Sequence, residues 1–157
     1  MKLIPLTSIL LIAIAGVLLM AMMLLTVVDV VGRYVFNSPV PGAFEATEVM
    51  LALSIFAGLP IVTARGDHVT VRLLVDRAPQ RVRFVVDRVV ELAVALLLAG
   101  AAYLLYERGM SLASYGDSTV LLRIPLAPVA FALMGLSAAA SLVAAVRFVL
   151  QCLAAAR

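Results

Sequence analysis

The side chains with the most chemical potential cluster around one turn. Asp29 and Arg33 stand four residues apart, and Glu45 and Glu48 follow just beyond a stretch containing Pro39, Pro41 and Gly42. On a helix, residues four apart are neighbours, so Asp29 and Arg33 can form an ion pair. Carboxylates in the first turn of a helix are favoured by its dipole, which suits Glu45 and Glu48. This chemistry serves either helix capping with a solvated ion pair or the presentation of charge to a partner protein. Neither is catalysis. The single histidine, His68, sits beside Asp67 and close to Arg65. It reads as a solvated side chain or as a polar contact at the edge of a complex. One cysteine, Cys152, permits no internal disulfide and no CxxC pair. A lone His and a lone Cys also leave too few soft ligands for zinc or for a bis-histidine haem. The sequence therefore predicts no catalytic residue, no cofactor and no metal site. Cys152 reads most simply as a small apolar residue.

The elements that carry these residues are overwhelmingly apolar. The chain has 157 residues, of which 65% are hydrophobic and 13% charged. A soluble domain has about 45–50% apolar and about 25% charged residues, so the exterior here must be apolar as well. Lipid is the expected solvent. The net charge of +3 is dispersed over helix ends and one loop, with no basic face interleaved with aromatics, which argues against nucleic-acid binding. Four runs are long enough to cross a hydrocarbon core about 30 Å thick. They cover residues 4–31, 43–65, 82–106 and 124–150, and the expected fold is an all-α membrane protein in a single domain, 1–157. The first run is too long for the apolar region of a signal peptide, so it is read as a retained span. Between spans two and three, Val71, Leu74, Val75 and Ala78 share one helical face. That pattern predicts a short amphipathic helix over 67–78 lying in the membrane interface. Residues 107–123, with Gly109, Gly116 and several serines, read as a loop.

Topology follows from charge. With four spans, both termini and the middle loop share a side, and that side holds Lys2, Arg65, Arg72, Arg77, Arg81, Arg83, Arg88, Arg147 and Arg157. Only Arg33, Arg108 and Arg123 lie opposite. The positive-inside rule then places the termini in the cytoplasm. Tyr34, Tyr103, Tyr106 and Tyr115 fall at the outer ends, where amphipathic rings suit the headgroup layer. No ionisable residue occupies the centre of any span. Asp29, Arg33, Glu45, Glu48, Glu91 and Glu107 are all read as lying within about two turns of a helix end. A carrier coupled to ions or protons normally keeps such a group near the midplane. Small residues four apart (Ser54 with Gly58, Gly135 with Ala139, Ser137 with Ser141, Ala140 with Ala144) instead mark faces where helices can approach closely.

Taken in order, several of these segments resemble the small membrane subunit of TRAP (tripartite ATP-independent periplasmic) transporters. They are Gly32-Arg33-Tyr34-Val35-Phe36-Asn37, then Glu45 and Glu48 opening span two, the region of Gly58, and Ala64-Arg65-Gly66-Asp67-His68-Val69 with Val71. Ser118 through Ile124-Pro125 follows before span four. The segment from Arg33 to Val71 carries the specific likeness. One departure is Phe44, where the family often has a tryptophan before the first glutamate. The resemblance implies a multi-pass protein of the bacterial inner membrane. It also implies two partners: a large permease subunit that holds the substrate and sodium sites and moves elevator-fashion, and a periplasmic substrate-binding protein that delivers an organic acid. The chain itself would be a non-catalytic scaffold, with Arg33, Glu45, Glu48, Arg65 and His68 as candidate partner contacts. Ser54, Gly58, Gly135, Ala139 and Ser141 are the candidate helix-packing positions. The competing expectation is a self-sufficient four-helix transporter working as a homo-oligomer. Such a protein needs a membrane-embedded carboxylate, and span one is uncharged until Asp29.

Overall fold

The computed structural model describes residues 6–65 and 80–155. The interfacial helix expected over 67–78, and His68 with it, lies outside the described residues. Four helices make up the described chain: α1 (Leu6–Val35), α2 (Ala43–Arg65), α3 (Gln80–Tyr115) and α4 (Leu126–Ala155). Each is long and apolar enough to cross a membrane. At 1.5 Å per residue, even α2, the shortest, matches the hydrocarbon thickness.

The loop expected over 107–123 is shorter than its composition implies, because α3 continues to Tyr115. Its last turns pack on α4: Leu112 is buried, and the Tyr106 and Phe131 rings lie 6.5 Å apart. Gly109 presents its bare face to the Phe131 ring, where a methyl group would come within 2.9 Å of a ring carbon. This contact outweighs the weak helix propensity of Gly109 and the serines.

The α3–α4 pair is the tightest. Ser137 donates its hydroxyl to the Leu98 carbonyl and Ser141 donates to the Ala95 carbonyl, each at 2.9 Å. Ala95 of α3 and Ala140 and Ala144 of α4 are buried. With no water inside a bilayer, a hydroxyl bonded across helices holds the pair together, at an average of about 0.6 kcal/mol each. Gly135 and Ala139, by contrast, lie on an exposed face of α4. In α2, Ser54 and Thr63 are buried, and their hydroxyls return to their own helix at Met50 and Leu59.

Helix order in space is α1, α2, α4, α3. Among the described residues α1 packs only on α2, and α3 only on α4, with α2 and α4 joining the two pairs. The helices therefore form an open row instead of a closed bundle. Almost every large side chain of α1 is exposed, Val17 at 68% for instance. A row has no lumen.

Candidate functional site

Polar contacts concentrate at the two ends of the row. One end carries the loops that join α1 to α2 and α3 to α4; here it is called the loop end. The other, near Arg65, is the arginine end.

At the loop end, α1 finishes with Gly32 accepting from both the Phe36 and Ser38 amides. The chain returns so closely that a Cβ on Gly32 would stand 2.7 Å from the Ser38 carbonyl oxygen. Asp29 splits its carboxylate: one oxygen accepts from Arg33 at 2.9 Å, the other from the Val40 amide at 2.9 Å. The turn then passes through Gly42 with φ of +77°, a conformation that disfavours a side chain, and Leu122 occupies the space a Cβ would need.

Leu122 belongs to the other loop, which Glu45 holds in place. Although Glu45 stands in the first turn of α2, its carboxylate does not bond the amides of its own helix. It accepts from the Leu121 amide at 2.9 Å and the Leu122 amide at 2.9 Å. The 116–125 loop is further closed by Thr119, whose amide donates to the Ile124 carbonyl and whose hydroxyl accepts from the Ile124 amide. Leu126 donates to the Asp117 carbonyl. Arg123 adopts a left-handed φ of 52°, a strain that costs a non-glycine residue on the order of 1 kcal/mol. The two loops thus form one surface, from which Tyr34, Phe36, Phe44 and Val120 project with exposures of 71–88%. A surface of rigid aromatic and aliphatic side chains over fixed backbone can bind protein or line the headgroup layer. It holds nothing that could break a bond.

The arginine end is built differently. Arg147 of α4 donates to the Thr63 and Ala64 carbonyls in the last turn of α2, at 2.9 and 2.7 Å, and to Glu91 of α3 at 3.4 Å. Gln151, one turn along α4, donates to the same Glu91 oxygen at 2.8 Å. Arg88 bonds both Glu91 and Gln151. A helix C-terminus leaves carbonyls without partners and carries partial negative charge. A guanidinium satisfies both needs at once, and one residue thereby ties three helices. The charged side chains here are 17–27% exposed, so they are partly withdrawn from solvent and mutually neutralised.

This cluster corrects the sequence reading of Glu91. Because α3 begins at Gln80, Glu91 lies about three turns inside the helix instead of near its end. It is tolerated there because two arginines and a glutamine surround it. The middle of the row nevertheless stays uncharged: residues 92–102 of α3, 49–64 of α2 and 126–146 of α4 contain no Asp, Glu, Lys or Arg.

Of the positions singled out from sequence, Arg33 and Glu45 lie at the loop end with the partners given above. Glu48 is exposed on α2 with no hydrogen bond or ion pair among the described residues. Arg65 is the last residue of α2. Gly58 and Gly135 are open: a Cβ at either would meet nothing within 4 Å. Arg88, Glu91, Arg147 and Gln151 were not singled out. Their available signal was spacing, since 88 with 91 and 147 with 151 each share a helix face, but the pairing between helices has no local signature. Among the described residues no group of three or more His, Cys, Asp or Glu could hold a metal ion.

Comparison with known proteins bears on this architecture. A family model described as "Tripartite ATP-independent periplasmic transporters, DctQ component" matches residues 22–154. The chain is also similar to a protein of Vibrio cholerae serotype O1 named "C4-dicarboxylate TRAP transporter small permease protein DctQ". The two are 38% identical over 63 residues, 40% of this chain but only 27% of the length of that relative.

Proposed function

This chain belongs to the DctQ component family of the tripartite ATP-independent periplasmic transporters, and on that premise we propose that it is the fixed, non-transporting scaffold beside the subunit that moves the solute. Members of this family are small permease components of transporters, not enzymes, and multi-pass proteins of the inner membrane. The observation that carries the scaffold reading is the open row: four helices in line, uncharged through their middle, enclose no space in which an ionic solute could be desolvated and held. An anion crossing the bilayer needs a cation or free donors at mid-depth; among the described residues the middle of the row carries no charged side chain, and the hydroxyls of Ser54, Ser137 and Ser141 are bonded to backbone carbonyls.

In the proposed assembly both termini face the cytoplasm, as the distribution of Lys and Arg favours, and the loop end faces the periplasm. The large permease subunit supplies the solute and sodium sites and slides against this row. The joined loops, fixed by Asp29 and Glu45, help to dock the periplasmic substrate-binding protein, with Arg33 beside them. Arg65 and His68 stand at the cytoplasmic edge of the complex. The name of the Vibrio cholerae relative points to a C4-dicarboxylate as the organic acid carried.

Reconstitution tests this directly. Vesicles holding this chain alone should take up no C4-dicarboxylate under an inward sodium gradient, while vesicles holding both membrane subunits, supplied with the binding protein, should take it up. Uptake by the chain alone would overturn the scaffold reading and favour a self-sufficient homo-oligomeric transporter.

A further inference from the structure

α2 carries an exposed stripe with unusual regularity. Phe44, Glu48, Leu51, Ile55, Gly58 and Val62 follow one another at alternating spacings of four and three. Phe44, Leu51, Ile55 and Val62 are 39–81% exposed, and Glu48 is exposed as well. With about 3.6 residues per turn, this stripe lies on the side of α2 away from the buried Ala57 and Thr63. Alternating four-three spacing is the pattern of a seam along which a second helix packs at a shallow crossing angle.

Two features say that the occupant is a protein helix bearing a cation. Glu48 is the first. Asp29, Glu45 and Glu107, the other carboxylates carried by helices near this end, are bonded to Arg33 and Val40, to Leu121 and Leu122, and to Tyr103 respectively, while Asp117, in the loop beyond α3, has no side-chain bond among the described residues. Glu48 alone among these four helix-borne carboxylates has no partner in the described residues; of its helical neighbours, Phe44, Leu51 and Ala52 are apolar and the fourth, Glu45, is already bonded to the Leu121 and Leu122 amides. A helix packed along this stripe would withdraw Glu48 from solvent, which is costly unless that helix brings a cation to meet it. Gly58 is the second. Among the described residues nothing requires a glycine there, since a Cβ would touch nothing within 4 Å. In a bilayer a glycine on a seam lets another backbone approach closely.

Building on the scaffold reading, we infer that this α2 stripe is the face against which a transmembrane helix of the large permease subunit packs. An Arg or Lys of that helix bonds Glu48 near the periplasmic end, and its backbone passes closest at Gly58.

The test is co-purification of the two membrane subunits, with the tag on this chain, for Glu48→Lys, Gly58→Leu and the control Gly135→Leu on the equally open stripe of α4. Each variant is also melted alone in detergent, where all three should match the unaltered chain because none of these positions packs within it. The expected result is a loss of retained large subunit of roughly tenfold or more for Glu48→Lys and Gly58→Leu, with Gly135→Leu unchanged. Full retention by both α2 variants overturns the inference. So does loss in Gly135→Leu with the α2 variants intact, which would move the interface to α4. If the α2 variants retain the large subunit and differ only in detergent or lipid containing phosphatidylethanolamine, the cation at Glu48 is a lipid headgroup and the inference is equally overturned. Failure of the unaltered chain to retain any large subunit would instead defeat the scaffold reading on which the face depends.

Discussion

The two ends of the row solve one physical problem with opposite charges. Where a helix stops inside or beside a bilayer, backbone groups lose their partners and water is scarce. At the loop end, carboxylates take up free amides: Asp29 accepts from Val40, and Glu45 from Leu121 and Leu122. At the arginine end, a guanidinium takes up free carbonyls, those of Thr63 and Ala64. The loop end thereby fixes a surface, because its bonds run from a helix to segments that leave the helices. The arginine end fixes the helices themselves, because Arg147 joins α2, α3 and α4 through one side chain. A protein without an enclosed core can thus be held in shape by pinning its open row at both ends.

Breaking the arginine end should have the largest effect. Arg147→Ala removes three charge-assisted hydrogen bonds and leaves Glu91 with reduced neutralisation, a loss of about 2–4 kcal/mol. Thermal unfolding in detergent should show a clear fall in melting temperature. Arg147→Lys should recover part of it, since an ammonium lacks the planar fork that reaches two carbonyls and a carboxylate together. An unchanged melting temperature for the alanine variant would mean that helix packing alone holds α2 against α4.

At the loop end the effect should be local. Glu45→Ala leaves the helices in place but frees the Leu121 and Leu122 amides, so hydrogen exchange should accelerate at those residues and stay unchanged along α3 and α4. Acceleration spread over α4 would show that the loop also supports the helix, and would blur the contrast between the ends. Smallest of all should be Arg33→Ala. Arg33 is 59% exposed in its pair with Asp29, and exposed pairs of this spacing contribute about 0.3–0.5 kcal/mol. Its melting temperature should stay close to that of the unaltered chain, because the Asp29–Val40 bond remains. A large fall would mean that the ion pair, and not the bond to the backbone, holds the turn.

The difference between the ends also explains what the sequence made visible. Four apolar runs of sufficient length, the Pro39–Gly42 turn and the Asp29–Arg33 pair are encoded within single segments, and length and spacing alone reveal them. The continuation of α3 to Tyr115 depends on Phe131 packing over Gly109, a contact between residues far apart in the chain. Glu45 resembles an ordinary first-turn carboxylate, yet its partners lie 76 and 77 residues away. Arg147 and Glu91 are likewise 56 residues apart. The small-residue stripes show the same limit. Four such pairs have identical spacing, but only the fold tells that Ser137 and Ser141 face α3 and that Ala140 and Ala144 are buried, while Gly135 and Ala139 are exposed. Local periodicity names a face without saying what covers it.

The central claim is that the helices form a row with α1 and α3 at its margins, and a distance between those margins measures it most directly. Spin labels placed mid-span on α1 and α3, read by pulsed electron paramagnetic resonance in lipid, should lie roughly 24–30 Å apart, three helix spacings of about 8–10 Å each. A separation of roughly 10–14 Å, the spacing within a closed four-helix bundle, would contradict the row and restore the possibility of an interior.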